Sequence, residues 1–283
     1  MELRGNMSYK SPIKWFGGKY YMANDIIKLF PKHKVYVEVF GGAGHILFKK
    51  EPSEIEVYND IDSGLYLFFK ILRDENKANI LKQKLDLTPY SREEFYHCRD
   101  TWRDEQDEIE KVRKWYVTAM QSFSANFSSW SYSKSSSGRG MSRTVSQWLG
   151  QIEDNLPKAV ERLKVVQIEN MDYKDLLKKY DGEDTLFYLD PPYMHKTRTS
   201  TYRYAHEMED EQHEEMIDIL LHIKGKAILS GYDNEIYNKL LDNGWRKIFL
   251  GEYNKCSEKA INESRNKGKE FIWINYDIQD IVR

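Results

Sequence analysis

The stretch Thr185-Leu186-Phe187-Tyr188-Leu189-Asp190-Pro191-Pro192-Tyr193 decides the reading of this chain. An apolar run of strand length passes directly into a carboxylate, two prolines and an aromatic ring. It predicts a buried strand that ends at Asp190. In open α/β sheets ligands bind at the carboxyl ends of strands, so the tetrapeptide after it is placed for chemistry. The prolines fix φ and remove two N–H donors. The carbonyls of Asp190 and Pro191 and the Asp190 carboxylate then form a set of acceptors, and Tyr193 adds a stacking face. Such a set suits an exocyclic amine on a planar base. The plain alternative is a Pro-Pro turn with a solvated Asp.

Outward from this strand, six further runs rich in Val, Ile, Phe, Tyr and Trp predict strands: Val35–Val39, Ile55–Tyr58, Val165–Ile168, Lys226–Ser230, Arg246–Leu250 and Phe271–Tyr276. Apolar residues at three- and four-residue spacing predict helices over Asn24–Leu29, Ser63–Leu72 and Glu211–Ile223, the last stopped by Gly225. Strands alternating with helices predict an α/β fold with a mostly parallel sheet covered on both faces. Between Tyr58 and Val165 the rhythm breaks. Ile109, Val112, Tyr116, Ala119 and Phe123 mark an amphipathic helix, and Ser124–Gly140 reads as a hairpin or loop. Residues 73–155 are expected to form an inserted, mainly helical subdomain, with 1–72 and 156–283 forming the main domain.

The chain has 283 residues, 40% of them hydrophobic and 31% charged, enough for one sizeable core with an insert. No window approaches a membrane helix. The N-terminus has no apolar core of a secretory signal. Cys98 and Cys256 stand far apart, which argues against a thiolate metal site or a disulfide scaffold and suits a reducing cytoplasm. The net charge of −2 does not advertise nucleic-acid binding. Yet from Gln121 to Ile152 the only charges between the ends of the segment before Glu153 are Lys134, Arg139 and Arg143, so a local basic surface is expected.

Three weaker motifs complete the pattern. Phe40-Gly41-Gly42-Ala43-Gly44 follows the first strand run and lets a ligand approach the backbone. It is neither GxGxxG nor a P-loop. Tyr58-Asn59-Asp60 ends the second run and places an acid to accept from ribose hydroxyls, or to cap the next helix. Lys14-Trp15-Phe16-Gly17-Gly18-Lys19 sets two lysines and two aromatics around a Gly-Gly turn.

In this order the four motifs resemble the DNA adenine methylase (Dam) family of S-adenosylmethionine-dependent N6-adenine methyltransferases, over nearly the whole length from Lys14 to Tyr276. KWFGGK is similar to the family's KWAGGK, VEVFGGAG to its FxGxG motif, YND to its ribose-binding acid, and DPPY to its catalytic motif. Leu229-Ser230-Gly231-Tyr232, Glu263-Ser264-Arg265-Asn266 and Ile272-Trp273-Ile274-Asn275 also resemble the family. The chain departs from it at Phe16, where Ala is usual, and at Val39, where Pro is usual.

The resemblance implies a Rossmann-like seven-strand methyltransferase sheet with the last strand antiparallel, and a target-recognition insert between the cofactor and catalytic motifs. It implies S-adenosylmethionine as cofactor and no metal. Cofactor contacts are expected from Trp15, Lys19, Glu38, Phe40, Gly42, Gly44, Asp60, Asp172, Tyr173 and Asp190; Asp172 reads equally as a helix N-cap. Asp190, Pro191, Pro192 and Tyr193 are the expected catalytic group, acting on an adenine flipped out of duplex DNA. DNA contacts are expected from Lys14, Ser124, Asn126, Trp130, Lys134, Arg139 and Arg143, and from Lys196 and Arg198 in the loop that also carries His195 and Arg203. A solvated loop is the alternative for Ser124–Arg143. A cognate restriction endonuclease is a second expected partner, and a monomer or weak dimer the expected state. Three other readings compete: another planar amine (cytosine in DNA, adenine in RNA), a non-catalytic DNA binder with this fold, and a nicotinamide oxidoreductase. The missing third glycine argues against the last.

Overall fold

The structure, a computed structural model, describes residues 9–134, 137–194, 207–254 and 267–280. In chain order the helices are α1 (Ala23–Ile27), α2 (His45–Lys49), α3 (Ser63–Arg73), α4 (Glu75–Asp86), α5 (Arg92–Thr101), α6 (Glu108–Gln121), α7 (Arg143–Gly150), α8 (Leu156–Leu163), α9 (Tyr173–Tyr180), α10 (Asp210–Leu220) and α11 (Asn238–Asp242). The strands are β1 (Val35–Glu38), β2 (Ile55–Asn59), β3 (Ser137–Gly138), β4 (Met141–Ser142), β5 (Val166–Glu169), β6 (Thr185–Leu189), β7 (Lys226–Tyr232), β8 (Arg246–Asn254) and β9 (Lys267–Ile274).

All seven expected strand runs form strands of one sheet, in the order β5-β2-β1-β6-β7-β9-β8. β1 pairs parallel with β2 and β6, and β6 parallel with β7. β9 runs antiparallel to both β7 and β8, so the last strand is the reversed one. Every residue of β6 is buried, as its unbroken apolar run requires. β9 begins earlier than the sequence suggests, at Lys267, and stops at Ile274.

The chain divides into two compact units. One holds the sequence up to Gly18, Gly42–Lys49 and Ser63–Ile168; the other holds Lys19–Gly41, Lys50–Asp62 and the sequence from Glu169 onward. The second unit carries a core of Val37, Val57, Phe187, Leu189, Leu229 and Trp273 with Leu176, Met216 and Ile217 from its helices. The first is mainly helical. Three of its helices, α4, α5 and α6, begin where side chains satisfy the open N–H groups: Asp74 accepts from the Lys77 amide at 3.1 Å, Ser91 from Glu94 at 3.4 Å and Asp107 from Glu110 at 2.7 Å. α6 buries Val112, Tyr116 and Ala119 of the expected face, together with Trp115 and Met120; Ile109 is only partly buried, and Phe123 falls beyond the helix end at Gln121, in the 3-10 turn, where it is exposed. A 3-10 turn at Phe123–Ala125 opens the segment expected to be a hairpin or loop, Ser124–Gly140, which also holds the first arm of the β3–β4 hairpin.

Helix boundaries need correction: α1 spans Ala23–Ile27 rather than Asn24–Leu29, and the largest difference is at α10. α10 ends at Leu220, before the expected Ile223 and well short of Gly225. The Asp181 carboxylate takes the amides of Lys224 and Gly225, at 2.9 Å each through Oδ1, and draws the chain away from the helix. Gly225 serves a close approach instead, since a Cβ there would lie 3.0 Å from the Thr185 carbonyl.

Candidate active site

β6 delivers Asp190 at its carboxyl end, half-buried, in the second unit. Two groups of the same unit bond to it directly. Lys19 Nζ lies 2.8 Å from Asp190 Oδ1 and 3.1 Å from Glu270 Oε1. Ser230, on β7, donates its hydroxyl to the same Asp190 Oδ1 at 2.9 Å. Among the described residues no hydrogen bond reaches Asp190 Oδ2. The carboxylate is therefore fixed through one oxygen and able to accept a ligand through the other.

Tyr193 is held with equal care. Its ring stacks on Tyr232 with centroids 4.3 Å apart and planes at 27°. Its hydroxyl accepts from Lys19 Nζ and lies 3.1 Å from each Glu270 oxygen, to which it donates. Lys19 and Glu270 are both almost fully buried, at 4% and 1% exposure. Burial by itself would pull the Lys19 ammonium down, but the Asp190 and Glu270 carboxylates outweigh it and hold the group well above the usual lysine value. Burial pushes the Glu270 carboxyl above its usual range, against the opposing pull of Lys19. One cation thus sits between two carboxylates, and for the buried Glu270 it is the partner that favours the charged form against burial.

The other expected cofactor acids of this unit lie at the ends of β1 and β2 and at the start of α9. Glu38 is buried and accepts from the Tyr36 hydroxyl at 2.9 Å. Asn59 ties the turn after β1 to the turn before α9: its amide donates to the carbonyls of Val39 and Met171, at 2.9 and 3.1 Å, and its oxygen takes the Met171 amide. Asp60 accepts from the Asp62 amide at 2.8 Å, and its carbonyl takes the Asn170 side chain at 2.7 Å. Asp172 caps α9, accepting from the Lys174 amide at 3.0 Å. Phe40 and Tyr173 meet as a ring pair at 5.6 Å.

In the first unit, Gly42 and Gly44 have φ of 49° and 67°. A Cβ on Gly42 would lie 2.9 Å from Cδ1 of Trp15, so indole and glycine backbone are in close register. Trp15 also packs on Trp115 and Phe127. Lys14 places its Nζ 3.4 Å from Gln147 on α7, and burial lowers its pKa from the usual lysine value. Ser124 is exposed and strained, with φ 51°. Asn126 organises its own turn through the amides of Ser128 and Ser129. Trp130 stacks on Tyr132 with planes at 16°, beneath the Arg92 guanidinium at 4.9 Å. Lys134 lies over the Tyr132 ring at 5.8 Å. Arg139, at the hairpin tip, is engaged by Asp154 at 3.2 Å and Glu153 at 3.6 Å, whereas Arg143 is exposed at the start of α7. Lys196 and Arg198, with His195 and Arg203, lie outside the described residues.

Sequence reasoning singled out Asp190, Tyr193 and Lys19 but did not join them, and it missed Glu270. A signal existed. β9 alternates exposed Lys269, buried Glu270, partly buried Phe271 and buried Ile272, so an acid occupies an inward position of a strand. Ser230 and Tyr232 stood in a quoted motif without a role.

Among the described residues no group of three or more His, Cys, Asp or Glu is placed to hold a metal ion, and no helix is long and apolar enough to cross a membrane. Comparison with known proteins gives the site a context. The chain is 25% identical over 215 residues to the Type II methyltransferase M.MjaIII of Methanocaldococcus jannaschii, covering 69% of this chain and 73% of that protein. It is 22% identical over 290 residues to the Type II methyltransferase M.FokI of Planomicrobium okeanokoites, where the match takes in 96% of this chain but only 43% of the relative's length. A shorter match, 35% over 85 residues and 30% of each chain, links it to a DNA adenine methylase of Vibrio cholerae. Residues 15–260 match the family described as D12 class N6 adenine-specific DNA methyltransferase, most of the chain's length, and the chain belongs to that family.

Proposed function

We propose that this chain transfers a methyl group from S-adenosylmethionine to the N6 amine of an adenine flipped out of duplex DNA. The observation that carries the reading is the Asp190 carboxylate, locked through Oδ1 by Lys19 and Ser230 at the end of β6, with Oδ2 taking no hydrogen bond among the described residues. An adenine amine is a poor nucleophile because its lone pair is delocalised into the ring. Hydrogen bonds from its two N–H groups to Asp190 and to the Pro191 carbonyl draw the nitrogen toward tetrahedral geometry. Acceptors fixed beforehand need no reorganisation as charge develops, and Pro191 and Pro192 keep the turn rigid. The face of Tyr193 opposite Tyr232 offers the flipped base a stack.

The residues fit the cofactor. The bare Gly42 backbone lets the Trp15 indole lie close against it, so an aromatic ring and unshielded main chain are presented together, a surface suited to a planar, polar ligand. Proposed contacts are Trp15, Lys19, Glu38, Phe40, Gly42, Gly44, Asp60, Asp172, Tyr173 and Asp190, with Asp60 accepting from ribose hydroxyls. When bound, the cofactor supplies an electrophilic methyl on a cationic sulfonium. For the DNA we propose residues 73–155 as the recognition segment and Lys14, Ser124, Asn126, Trp130, Lys134, Arg139 and Arg143 as contacts. The Type II names of two relatives support a restriction endonuclease as the companion activity.

The test is incubation with isotopically labelled S-adenosylmethionine and unmethylated duplex DNA, followed by digestion to nucleosides and mass spectrometry, with Asp190→Ala in parallel. Label on N6-methyladenine, lost in Asp190→Ala even at saturating cofactor, is expected. Label on cytosine, or on neither base, overturns the assignment.

A further inference from the structure

We propose that Glu270 is a positioning residue for methyl transfer, acting through Lys19 and the Tyr193 hydroxyl to hold the acceptor carboxylate and the stacking ring as one unit. The inference rests on the reading of Asp190 and Tyr193 given above, and names a residue that none of the four motifs contains.

The geometry is specific. Glu270 is inward-facing on β9, in register with Tyr232 of β7 and with Gly251 of β8. The strand pairing that places Glu270 therefore also places Tyr232, the ring on which Tyr193 stacks. Glu270 accepts from the Tyr193 hydroxyl and pairs with Lys19, and Lys19 pairs with Asp190. The Tyr193 hydroxyl both accepts from Lys19 and donates to Glu270, which closes the circuit. Besides Asp190, Glu270 and Tyr193, the titratable groups facing Lys19 are Tyr188 and Tyr237. Tyr237 and Tyr253 face Glu270 from outside the circuit. A fold that needed only a filled position here has no use for a buried acid, because an uncompensated charge at such a site is costly. A catalytic constellation needs its groups held to within a fraction of an ångström, and a shift of about 1 Å costs on the order of a hundredfold in rate.

The experiment compares wild type, Glu270→Gln, Tyr193→Phe and the double variant on unmethylated plasmid DNA with labelled S-adenosylmethionine. Glu270→Gln is expected to lower kcat by about ten- to a hundredfold with the cofactor KM within about twofold. With one of its two carboxylate partners neutral, Lys19 loses its proton at lower pH, so the alkaline limb of the rate profile moves down. In the cofactor-free protein the Lys19 Nζ resonance, assigned with Lys19→Arg, should move its titration the same way. Since Glu270 acts through the Tyr193 hydroxyl, the double variant should lose little more than the worse single one. An unchanged kcat in Glu270→Gln, an alkaline limb that stays in place, or additive losses overturn the proposal. If Glu270→Gln does not fold, Tyr193→Phe decides: full kcat without the hydroxyl refutes the circuit. Wild type that puts no label on adenine refutes the underlying reading instead, and the two failures are thereby separated.

Discussion

Gly42 holds a φ of 49°, and a Cβ at that position would press on the Trp15 indole at 2.9 Å. Both facts oppose any side chain. Left-handed backbone costs a non-glycine residue about 1–2 kcal/mol, and the contact requires the indole to shift. Gly42→Ala should lower Tm by roughly 2–4 °C per kcal/mol lost in a chain of this size, and weaken S-adenosylmethionine binding by more than that stability change accounts for. Calorimetric melting and titration on the same sample read both; an unchanged Kd would remove Gly42 from the cofactor contacts. The residue scale also shows where sequence reading stops. Asp190 and Tyr193 are legible because strand, carboxylate and prolines are neighbours in sequence. Glu270 is not, because it stands 77 positions from Tyr193 and only the pairing of β7 with β9 brings it there. Asp172 remains legible in one respect, as an N-cap, since that role is local.

At the scale of elements, the helices between β2 and β5 are bound by ion pairs that no periodicity announces. Glu108 of α6 takes Lys70 of α3 and Lys77 of α4, at 3.1 and 2.9 Å. Arg113 of α6 joins Glu94 of α5 at 2.8 Å, and Lys114 joins Glu105 at 2.7 Å. The Lys114 hydrogen bond, with the Asp107 amide, pulls the Glu105 carboxyl down to about 2. Lys77 and Lys70 lower Glu108, while for Glu94 burial pushes up and Arg113 prevails. A carboxylate whose folded pKa is depressed adds stability that is present above its unfolded value, about 4.5, and lost as pH falls toward 2. Thermal melts followed by circular dichroism at 222 nm should give a lower Tm at pH 3 than at pH 6. Lys114→Met should shrink the difference, and high salt should shrink it further for the exposed pairs. Equal Tm at the two pH values would mean that the pairs contribute nothing. Of these helices α3 and α6 are legible from apolar spacing, whereas α4, α5, α7 and α8 are not, because their short buried faces carry few apolar residues among many polar ones. α10 was overextended because Gly225 looks like a helix stop, whereas its amide is taken by Asp181, 44 positions away.

Across the whole molecule the charges nearly cancel, with 43 basic and 45 acidic residues, so any grip on DNA must come from local distribution. Arg139 and Arg143 stand four positions apart at the β3–β4 hairpin and differ in one respect. The Arg139 guanidinium already faces Asp154 and Glu153, while among the described residues no carboxylate pairs with Arg143. A phosphate contact releases counterions, and each one steepens the fall of log K with log salt by about 0.9 for duplex DNA. An arginine that must first leave two carboxylates contributes less to net affinity, because the pair it abandons offsets the contact it makes. Arg143→Ala should therefore reduce the salt slope by about 0.9 and weaken binding to any duplex alike, the signature of a phosphate contact. Arg139→Ala should change the affinity less, and Asp154→Asn should strengthen binding by releasing Arg139. Fluorescence anisotropy with a labelled duplex over a salt series measures all three slopes. Identical slopes for wild type and Arg143→Ala would take this arginine out of the DNA contact and leave the solvated-loop reading of residues 124–143 in its place.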